Sequence, residues 1–259
     1  MAETSLKALL ERRGAWLKGV PGDHDRALAR ANLTRLIADD YLRFEQVRDR
    51  IFRATEAFMR HVEIIPETLT PEEHILVAEL VNNGLVVRGA DGHEICDTAG
   101  RRYLSGGWLE ELAWLAAMAA GADEAVYGQI LAWTVRGYSG ENEVDLIIRR
   151  GETLAFVSCK ALRSELDITD RKHRNRLMDA VHEADNLADH FGQPGERVAV
   201  LVTTDLFDEM RGVARYNALM GKAAVLDVRI IPLEELGWDK LVFSFSELMN
   251  DRKPETAEP

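Results

Sequence analysis

The sequence predicts an α/β fold, a mixed sheet flanked by helices and preceded by a helical, winged-helix-like N-terminal region. Three observations predict it. Apolar residues recur at helical spacing over the first 60 residues, and a helix pattern followed by a hairpin pattern comes next. After residue 106 the patterns alternate in the order α-β-β-β-α-β-α-β, which is typical of a mixed sheet with helices packed on it.

These changes of pattern divide the chain into three parts. We expect residues 1–105 to form the helical and winged-helix-like region and residues 106–249 to form the α/β domain. The tail at 250–259 is polar and contains two prolines, so we expect it to be disordered.

The N-terminal region shows helix and hairpin signals. Residues 6–16 fit a first helix, which the Gly- and Pro-containing residues 19–23 break. Thr70 as N-cap and Pro71 at the first helical position begin a later helix. Residues 85–96, with Gly89 and Gly92 at their centre, predict a hairpin. Contact with DNA is one interpretation of this helix and hairpin, but the stretch is not basic, and we favour a packing role.

The second part contains alternating strands and helices. We predict helices at residues 108–119, 170–191 and 206–220. We predict strands at residues 130–136, 143–150, 153–160, 198–203 and 224–231. The continuous apolar run at 198–203 is typical of a strand covered on both faces.

Composition limits the functions that fit. The formal net charge is −12, so nucleic acid would have to bind a local basic surface or bind through metal ions. The segment 160–176 has six basic residues against three acidic ones, and is either a solvated loop and helix start or such a surface. Its basic residues are Lys160, Arg163, Arg171, Lys172, Arg174 and Arg176.

Cysteine content and apolar runs indicate where the protein is located in the cell. Cys96 and Cys159 are too few for a disulfide framework or a four-cysteine zinc site. No apolar run reaches the roughly 18 residues of a membrane span, and the N-terminus lacks the layout of a signal peptide. We therefore expect a protein of the reducing cytoplasm that has no membrane partner.

One group of polar residues can carry chemistry. Asp145 lies on the second predicted strand and Lys160 ends the third. Side chains alternate along a strand, so Ser158 and Lys160 share a face, and a hairpin would place Asp145 close to both. Glu110 can enter from the preceding helix, and Glu143 shares the face of Asp145.

This group matches the needs of phosphodiester hydrolysis. A divalent metal must neutralise phosphate oxygens and activate a water, and carboxylates suit Mg²⁺ or Mn²⁺. A cation must stabilise the developing negative charge. Asp145, Glu110 and Lys160 satisfy these needs, with Glu143 as a further metal ligand. The alternative is that Lys160 only forms an ion pair on its strand.

Three ordered motifs carry a resemblance to a known family. They are Gly-Gly-Trp-Leu-Glu-Glu at 106–111, Asn-Glu-Val-Asp at 142–145 and Phe-Val-Ser-Cys-Lys at 156–160. Together they resemble the PD-(D/E)xK, restriction-endonuclease-like domain of the ancillary nucleases of type III CRISPR systems. The resemblance covers about residues 75–235.

The resemblance implies a cytoplasmic, metal-dependent endonuclease of prokaryotic antiviral defence. Such an enzyme cleaves DNA or RNA with Mg²⁺ or Mn²⁺, usually as a homodimer. The motif match implies that Glu110 is the helix acid, Asp145 the central metal ligand and Lys160 the catalytic lysine. Ser158 takes the place of the acid in the general pattern.

Two departures from the family keep alternatives open. Serine is a poor metal ligand, so Glu110, Glu143 or substrate oxygens would have to complete the site. The N-terminal region lacks the βαβ pattern of the CARF domain that senses cyclic oligoadenylate in this family. The chain is then a short relative, a piece of a longer protein, or an effector regulated by a separate sensor or CARF partner. The second functional hypothesis is a catalytically weak or inactive module for nucleic-acid binding or dimerisation.

Overall fold

A computed structural model describes residues 5–61, 68–89, 92–95, 97–193, 196–208 and 210–250. The side chains of Val135 and Ala188 are not part of that description. The expected disordered tail lies outside the described residues, apart from Asn250. Cys96 also lies outside them.

Helices and strands alternate along the described chain. The helices are α1 Leu6–Arg12, α2 His24–Ala29, α3 Ala31–Asp39, α4 Tyr41–Arg60, α5 Pro71–Asn82, α6 Thr98–Arg102, α7 Trp108–Ala119, α8 Arg171–Phe191, α9 Asn217–Val225 and α10 Trp238–Asn250. The strands are β1 Ala15–Lys18, β2 Val86–Gly89, β3 Gly92–Ile95, β4 Glu124–Val135, β5 Tyr138–Arg150, β6 Thr153–Lys160, β7 Arg197–Val202, β8 Phe207–Asp208, β9 Val213–Ala214 and β10 Val228–Ile231. Among the described residues, every helix is too short or too polar to span a bilayer.

Six of these strands form one mixed sheet in the order β1-β4-β5-β6-β7-β10. The pairs β1–β4, β4–β5 and β5–β6 are antiparallel, whereas β6–β7 and β7–β10 are parallel. Helices flank this sheet. The mixed α/β sheet with flanking helices is therefore confirmed, while the restriction-endonuclease-like and winged-helix assignments stay predictions.

Strand β7 shows how the sheet is covered on both faces. Ala199 and Leu201 belong to the core that α7 and α10 share with the sheet. Val198, Val200 and Val202 point the other way, into a cluster with α8 and α9. All five side chains are buried, which explains the continuous apolar run and confirms the prediction of a covered strand.

The hairpin β4–β5 is longer than predicted. Strand β4 begins at Glu124, before the predicted strand. Strand β5 begins at Tyr138, directly after the two-residue turn of Arg136 and Gly137. Both turn residues have positive φ, as the favoured two-residue hairpin turns require. The outer half of β5 is polar and exposed, so it lacks the apolar alternation from which strands are predicted.

Residue 16 was wrongly predicted to be helical. Helix α1 ends at Arg12, and Gly14 reverses the chain with φ +74. The next residues form β1, in which Trp16 pairs with Ala132 of β4. The N-terminal segment thereby adds an edge strand to the main sheet.

The helix predicted at 206–220 was also wrong. Its first part is the hairpin β8–β9, and α9 occupies only Asn217–Val225. Asp208 accepts hydrogen bonds from the N–H of Arg211 (3.1 Å, to Oδ1) and from the N–H of Gly212 (2.8 Å, to the carbonyl). Gly212 then takes φ +65. This turn chemistry outweighs the helical spacing of the apolar residues.

The N-terminal helix α4 packs on α7 through a fully buried tryptophan. The ring of Trp108, at the start of α7, lies 5.5 Å from the rings of Tyr41 and Phe44 on α4. The predicted cap of α5 is present, since Thr70 and Glu73 form a capping box. The predicted hairpin, β2–β3, packs on α4, where Thr55 accepts a hydrogen bond from the N–H of Ile95 at 3.0 Å.

We expect Trp108→Ala to destabilise the protein by about 3–5 kcal/mol, because it empties the contact between α4 and α7. Chemical denaturation should still show one transition, followed both by far-ultraviolet circular dichroism and by tryptophan fluorescence. The matched control is Tyr138→Ala, whose ring is 83% exposed and should change stability by less than about 0.5 kcal/mol. Equal stabilities of the two variants would contradict a shared core.

Candidate active site

The site begins at a break in the ladder between β4 and β5. Tyr127 pairs with Leu146 and Gln129 pairs with Val144, which leaves Gly128 and Asp145 facing each other where the regular pairing is interrupted. Gly128 has φ +58, a conformation that glycine adopts without strain. The break therefore frees Asp145 from a regular strand position.

The carboxylate of Asp145 ties β5 to the end of β6. Its Oδ2 accepts hydrogen bonds from the backbone N–H of Cys159 (2.7 Å) and from the hydroxyl of Ser158 (3.2 Å). The ammonium of Lys160 lies 3.9 Å from the same oxygen. Burial raises the pKa of Asp145, against the opposing effects of Lys160, Cys159 and Ser158. The predicted proximity of Asp145, Ser158 and Lys160 is thus present in the structure.

Lys160 is shared between two carboxylates. Its Nζ lies 2.9 Å from Oε2 of Glu183, on α8, as well as near Asp145. Burial lowers the pKa of Lys160, but the two carboxylates outweigh burial and the net direction is upward. The side chain is therefore a fixed positive charge at the end of β6. Sequence analysis predicted the helix that carries Glu183, but it did not pair Glu183 with the lysine.

Glu110 approaches the same place from the first turn of α7. Its side chain is only 17% exposed, and Arg102 lies 3.7 Å away. Burial, and next the charge of Asp145, raise the pKa of Glu110 to about 7. Glu143 is exposed and adds a smaller repulsion to both Glu110 and Asp145. Glu110 thus lies buried beside a second acid, and the charge of Arg102 does not offset these two effects.

A cleft of about 360 Å³ opens at the carboxyl end of β6. Ser105 and Gly106, just before α7, line one side, and Arg176 and Glu183 of α8 line the other. Because α7 and α8 cover opposite faces of the sheet, the cleft wraps around the end of β6. Glu110 and Lys160 both line it, which gives a substrate access to an acid and to a cation.

Helix α4 holds the loop that follows Lys160. The hydroxyl of Tyr41 donates a 2.7 Å hydrogen bond to the carbonyl of Leu162, and Glu45 accepts hydrogen bonds from the hydroxyl and the N–H of Ser164. Thr203, after β7, binds both the N–H and the carbonyl of Leu162. The position of Lys160 therefore depends on the N-terminal region, a link that local sequence patterns do not show.

The predicted basic surface lies beside the cleft. Arg176 lines the cleft, whereas the remaining cations sit on the loop after β6 and on the first turn of α8. Apart from Lys160, the side chains of this surface form no ion pair and no hydrogen bond within the described residues. These side chains are Arg163, Arg171, Lys172, Arg174 and Arg176. Positive charge that is not neutralised by the protein suits a polyanion.

The donor atoms fit a hard cation. Glu110 and Asp145 offer carboxylate oxygens, and Oδ1 of Asp145 forms no hydrogen bond with a described residue. No three His, Cys, Asp or Glu side chains in the described part of the chain gather around one point, as a structural zinc site would require. Mg²⁺ needs less, because it is commonly held by one or two carboxylates, waters and substrate phosphates.

Comparison with known proteins shows the fold. No family model matches the chain, and no curated protein matches it. Solved structures do match, among them the following two. Protein VC1899 from Vibrio cholerae matches with a TM-score of 0.67 and 15% identity over 94% of this chain and 61% of its own. Can2 from Sulfobacillus thermosulfidooxidans, in complex with cyclic tetra-adenylate, matches with a TM-score of 0.60 and 14% identity over 93% of this chain and 60% of its own.

The chain shares their fold. It spans about 60% of the length of each. Since at most a few per cent of this chain is left unmatched, the likeness includes the N-terminal helical region as well as the sheet.

We expect Glu110→Gln to stabilise the metal-free protein at alkaline pH. Because the folded pKa is raised above the unfolded value, stability from the neutral acid is fully present below about pH 4.5 and is lost as pH rises through about 7. The variant avoids this loss and should gain at most about 3 kcal/mol at pH 8.

Thermal unfolding in a chelating buffer at pH 5 and at pH 8 measures this gain. The control is Glu152→Gln, an exposed carboxylate at the opposite end of β6. A gain for Glu110→Gln that is equal at both pH values would contradict the raised pKa.

We expect Gly128→Ala to distort the site. A methyl group there would lie 3.2 Å from Oε2 of Glu110 and 3.3 Å from Arg102, and it would have to adopt φ +58. The left-handed conformation costs about 1–2 kcal/mol. Gly137→Ala is the matched control, since it shares the positive φ but meets no atom within 4 Å.

Both variants should lose similar stability in chemical denaturation. Only Gly128→Ala should also weaken Mn²⁺ binding in calorimetry. Unchanged Mn²⁺ affinity in Gly128→Ala would show that the crowded side chains do not hold the metal.

Proposed function

We propose that this protein is a metal-dependent endonuclease that hydrolyses phosphodiester bonds of DNA or RNA in CRISPR-linked antiviral defence. One observation carries the proposal. Glu110, Asp145 and Lys160 approach one another at the end of β6, beside a surface of cations that form no ion pair with a described residue. The ordered motifs of type III CRISPR ancillary nucleases supply these residues, and the fold shared with Can2 is consistent with that family.

Each residue then has a physical task. A bound Mg²⁺ or Mn²⁺ would neutralise phosphate oxygens and lower the pKa of a water. Asp145 and Glu110 would hold the ion. Glu143, whose charge acts on both of these acids, would be a further ligand. Ser158 and the N–H of Cys159 orient the carboxylate of Asp145. Lys160, held by Glu183, would stabilise negative charge that develops on the phosphate.

The basic surface would allow an acidic protein to bind nucleic acid. A protein with net charge −12 repels nucleic acid at long range. Arg176 in the cleft and Arg163, Arg171, Lys172 and Arg174 beside it would instead bind the backbone of the strand. These contacts would be non-specific in sequence, since phosphates carry no base information.

Partners are also part of the proposal. We expect a homodimer, which light scattering after size-exclusion chromatography measures directly. Can2 carries cyclic tetra-adenylate in its structure, and this chain spans only 60% of Can2. We propose that an activator of this kind would act on the present chain through a separate sensor or CARF partner, or through a further part of a longer protein.

Ser158 favours a second candidate, a nuclease-fold module without catalytic activity. Its side chain is buried and bound to Asp145, and it replaces the acid that would normally be a metal ligand. Such a module would bind nucleic acid through its basic surface. It would show no Mn²⁺ binding that depends on Asp145.

We expect Asp145→Asn and Lys160→Ala each to reduce Mg²⁺- or Mn²⁺-dependent cleavage by at least about 100-fold, because each removes charge that the transition state needs. Labelled single- and double-stranded DNA and RNA, resolved on gels, give the rates. Arg12→Ala is the control, since Arg12 contacts the β5–β6 turn at the far end of β6.

Calorimetric titration with Mn²⁺ separates the two candidates. Binding that disappears in Asp145→Asn supports the nuclease. Absence of cleavage for every substrate and metal, together with absence of Mn²⁺ binding, would leave only the non-catalytic module.

A further inference from the structure

A second cavity adjoins the cleft at Glu110. Its volume is about 280 Å³, and its walls come from residues before and within α2, from α6 and from β4. Glu110 lines both this cavity and the cleft, and Gly128, opposite Asp145, lines the second cavity as well. The cavity therefore borders the centre of the proposed active site.

Two available cations line this cavity. Arg26, on α2, is exposed, and its side chain forms no ion pair or hydrogen bond with a described residue. Arg102, at the end of α6, is 65% exposed, and within the described residues its one ion pair is with Glu110, at 3.7 Å. Because Arg102 itself lies in solvent and this contact is long, its side chain can turn to a ligand in the cavity.

The other charges of the cavity are already engaged. Arg30 forms a buried two-pronged ion pair with Glu111. Asp23 caps α2, accepting a 2.9 Å hydrogen bond from the N–H of Arg26. Although arginines and acids balance in number, the charges left for a ligand are therefore Arg26, Arg102 and Glu110.

We propose that this cavity binds the phosphate next to the scissile one in a nucleic-acid strand, with Arg26 and Arg102 as its ligands. The inference rests on the proposed nuclease function. A strand whose scissile phosphate lies at Glu110, Asp145 and Lys160 must continue on both sides. Arg176 borders it in the cleft, and the second cavity receives it beyond Glu110.

The chemistry and the size support this ligand. Arginine binds phosphate through two parallel N–H donors, which fixes position as well as charge. The cavity is at the small end of the roughly 300–1,000 Å³ typical of ligand pockets, so it fits one nucleotide unit and excludes a duplex. The strand would have to be single or locally separated at this point.

Binding is tested first, without cleavage. Fluorescence anisotropy of a short labelled single strand in Ca²⁺ gives the affinity of wild type, Arg26→Ala, Arg102→Ala and the control Arg12→Ala. Losing a charged hydrogen-bond partner should weaken binding roughly 10-fold for the first two variants and leave the control unchanged. Arg26→Ala is the cleaner variant, because Arg26 does not contact Glu110.

Position is tested next, with a strand in which one phosphate at a time is a neutral methylphosphonate. In wild type, one position should show a penalty of roughly 10-fold, and Arg26→Ala should remove that penalty. Mapping of the cleavage product should place this position next to the scissile phosphate. A nucleoside monophosphate is added as competitor in a parallel measurement.

The outcomes distinguish this inference from the proposed function. The inference is supported if both arginine variants lose affinity and the methylphosphonate penalty vanishes. If wild type cleaves but the variants bind as wild type does, the inference fails and the nuclease stands. If a nucleoside monophosphate competes through Arg26 and no position shows a penalty, a free nucleotide is the occupant, and the strand proposal fails. If wild type neither binds nor cleaves any strand, both fail.

Discussion

The arrangement of side chains at the end of β6 depends on the carboxylate of Asp145. One of its oxygens accepts the N–H of Cys159 and the hydroxyl of Ser158, and the ammonium of Lys160 is near the same atom. The β5–β6 ladder has its last regular pair at Leu146 and Val157, so this carboxylate replaces backbone pairing at the point where the two strands separate. Oδ1 forms no hydrogen bond with a described residue, so in the proposed metal site it would be the oxygen that binds the ion.

That arrangement raises the energy of a second ionised acid. Glu110 is buried beside Asp145, and among the described residues it forms an ion pair with the exposed Arg102 alone. A pKa raised to about 7 means that the protein alone stabilises the ionised pair poorly. A bound divalent cation would stabilise the ionised form of both acids and would lower their pKa values. The repulsion that reduces the stability of the free protein is thus what a metal site would use.

Local and distant contacts explain what the sequence could predict. Asp145, Ser158 and Lys160 belong to one hairpin with a two-residue turn, so alternation along the strands was enough to bring them together. The break at Gly128 was missed because the predicted strand began two residues later, at 130. Tyr41 and Glu45 reach the loop after Lys160 from about 120 positions away, and no periodicity signals such a contact. The helix predictions for Trp16 and for residues 206–220 were wrong for another reason. Turns at glycine and aspartate outweighed apolar spacing that fits a helix.

Helix α4 of the N-terminal region contacts the loop after Lys160, and so helps to position the end of β6. Tyr41 and Glu45 hold the loop from one side, and Thr203, just after β7, holds it from the other. The same helix packs against Trp108, one turn or less from Glu110 on α7. A displacement of α4 would therefore reach the lysine and the helix acid together, through two separate sets of contacts. The likeness to VC1899 and Can2 covers this region as well as the sheet, so the helices that hold the loop after Lys160 are part of the shared fold.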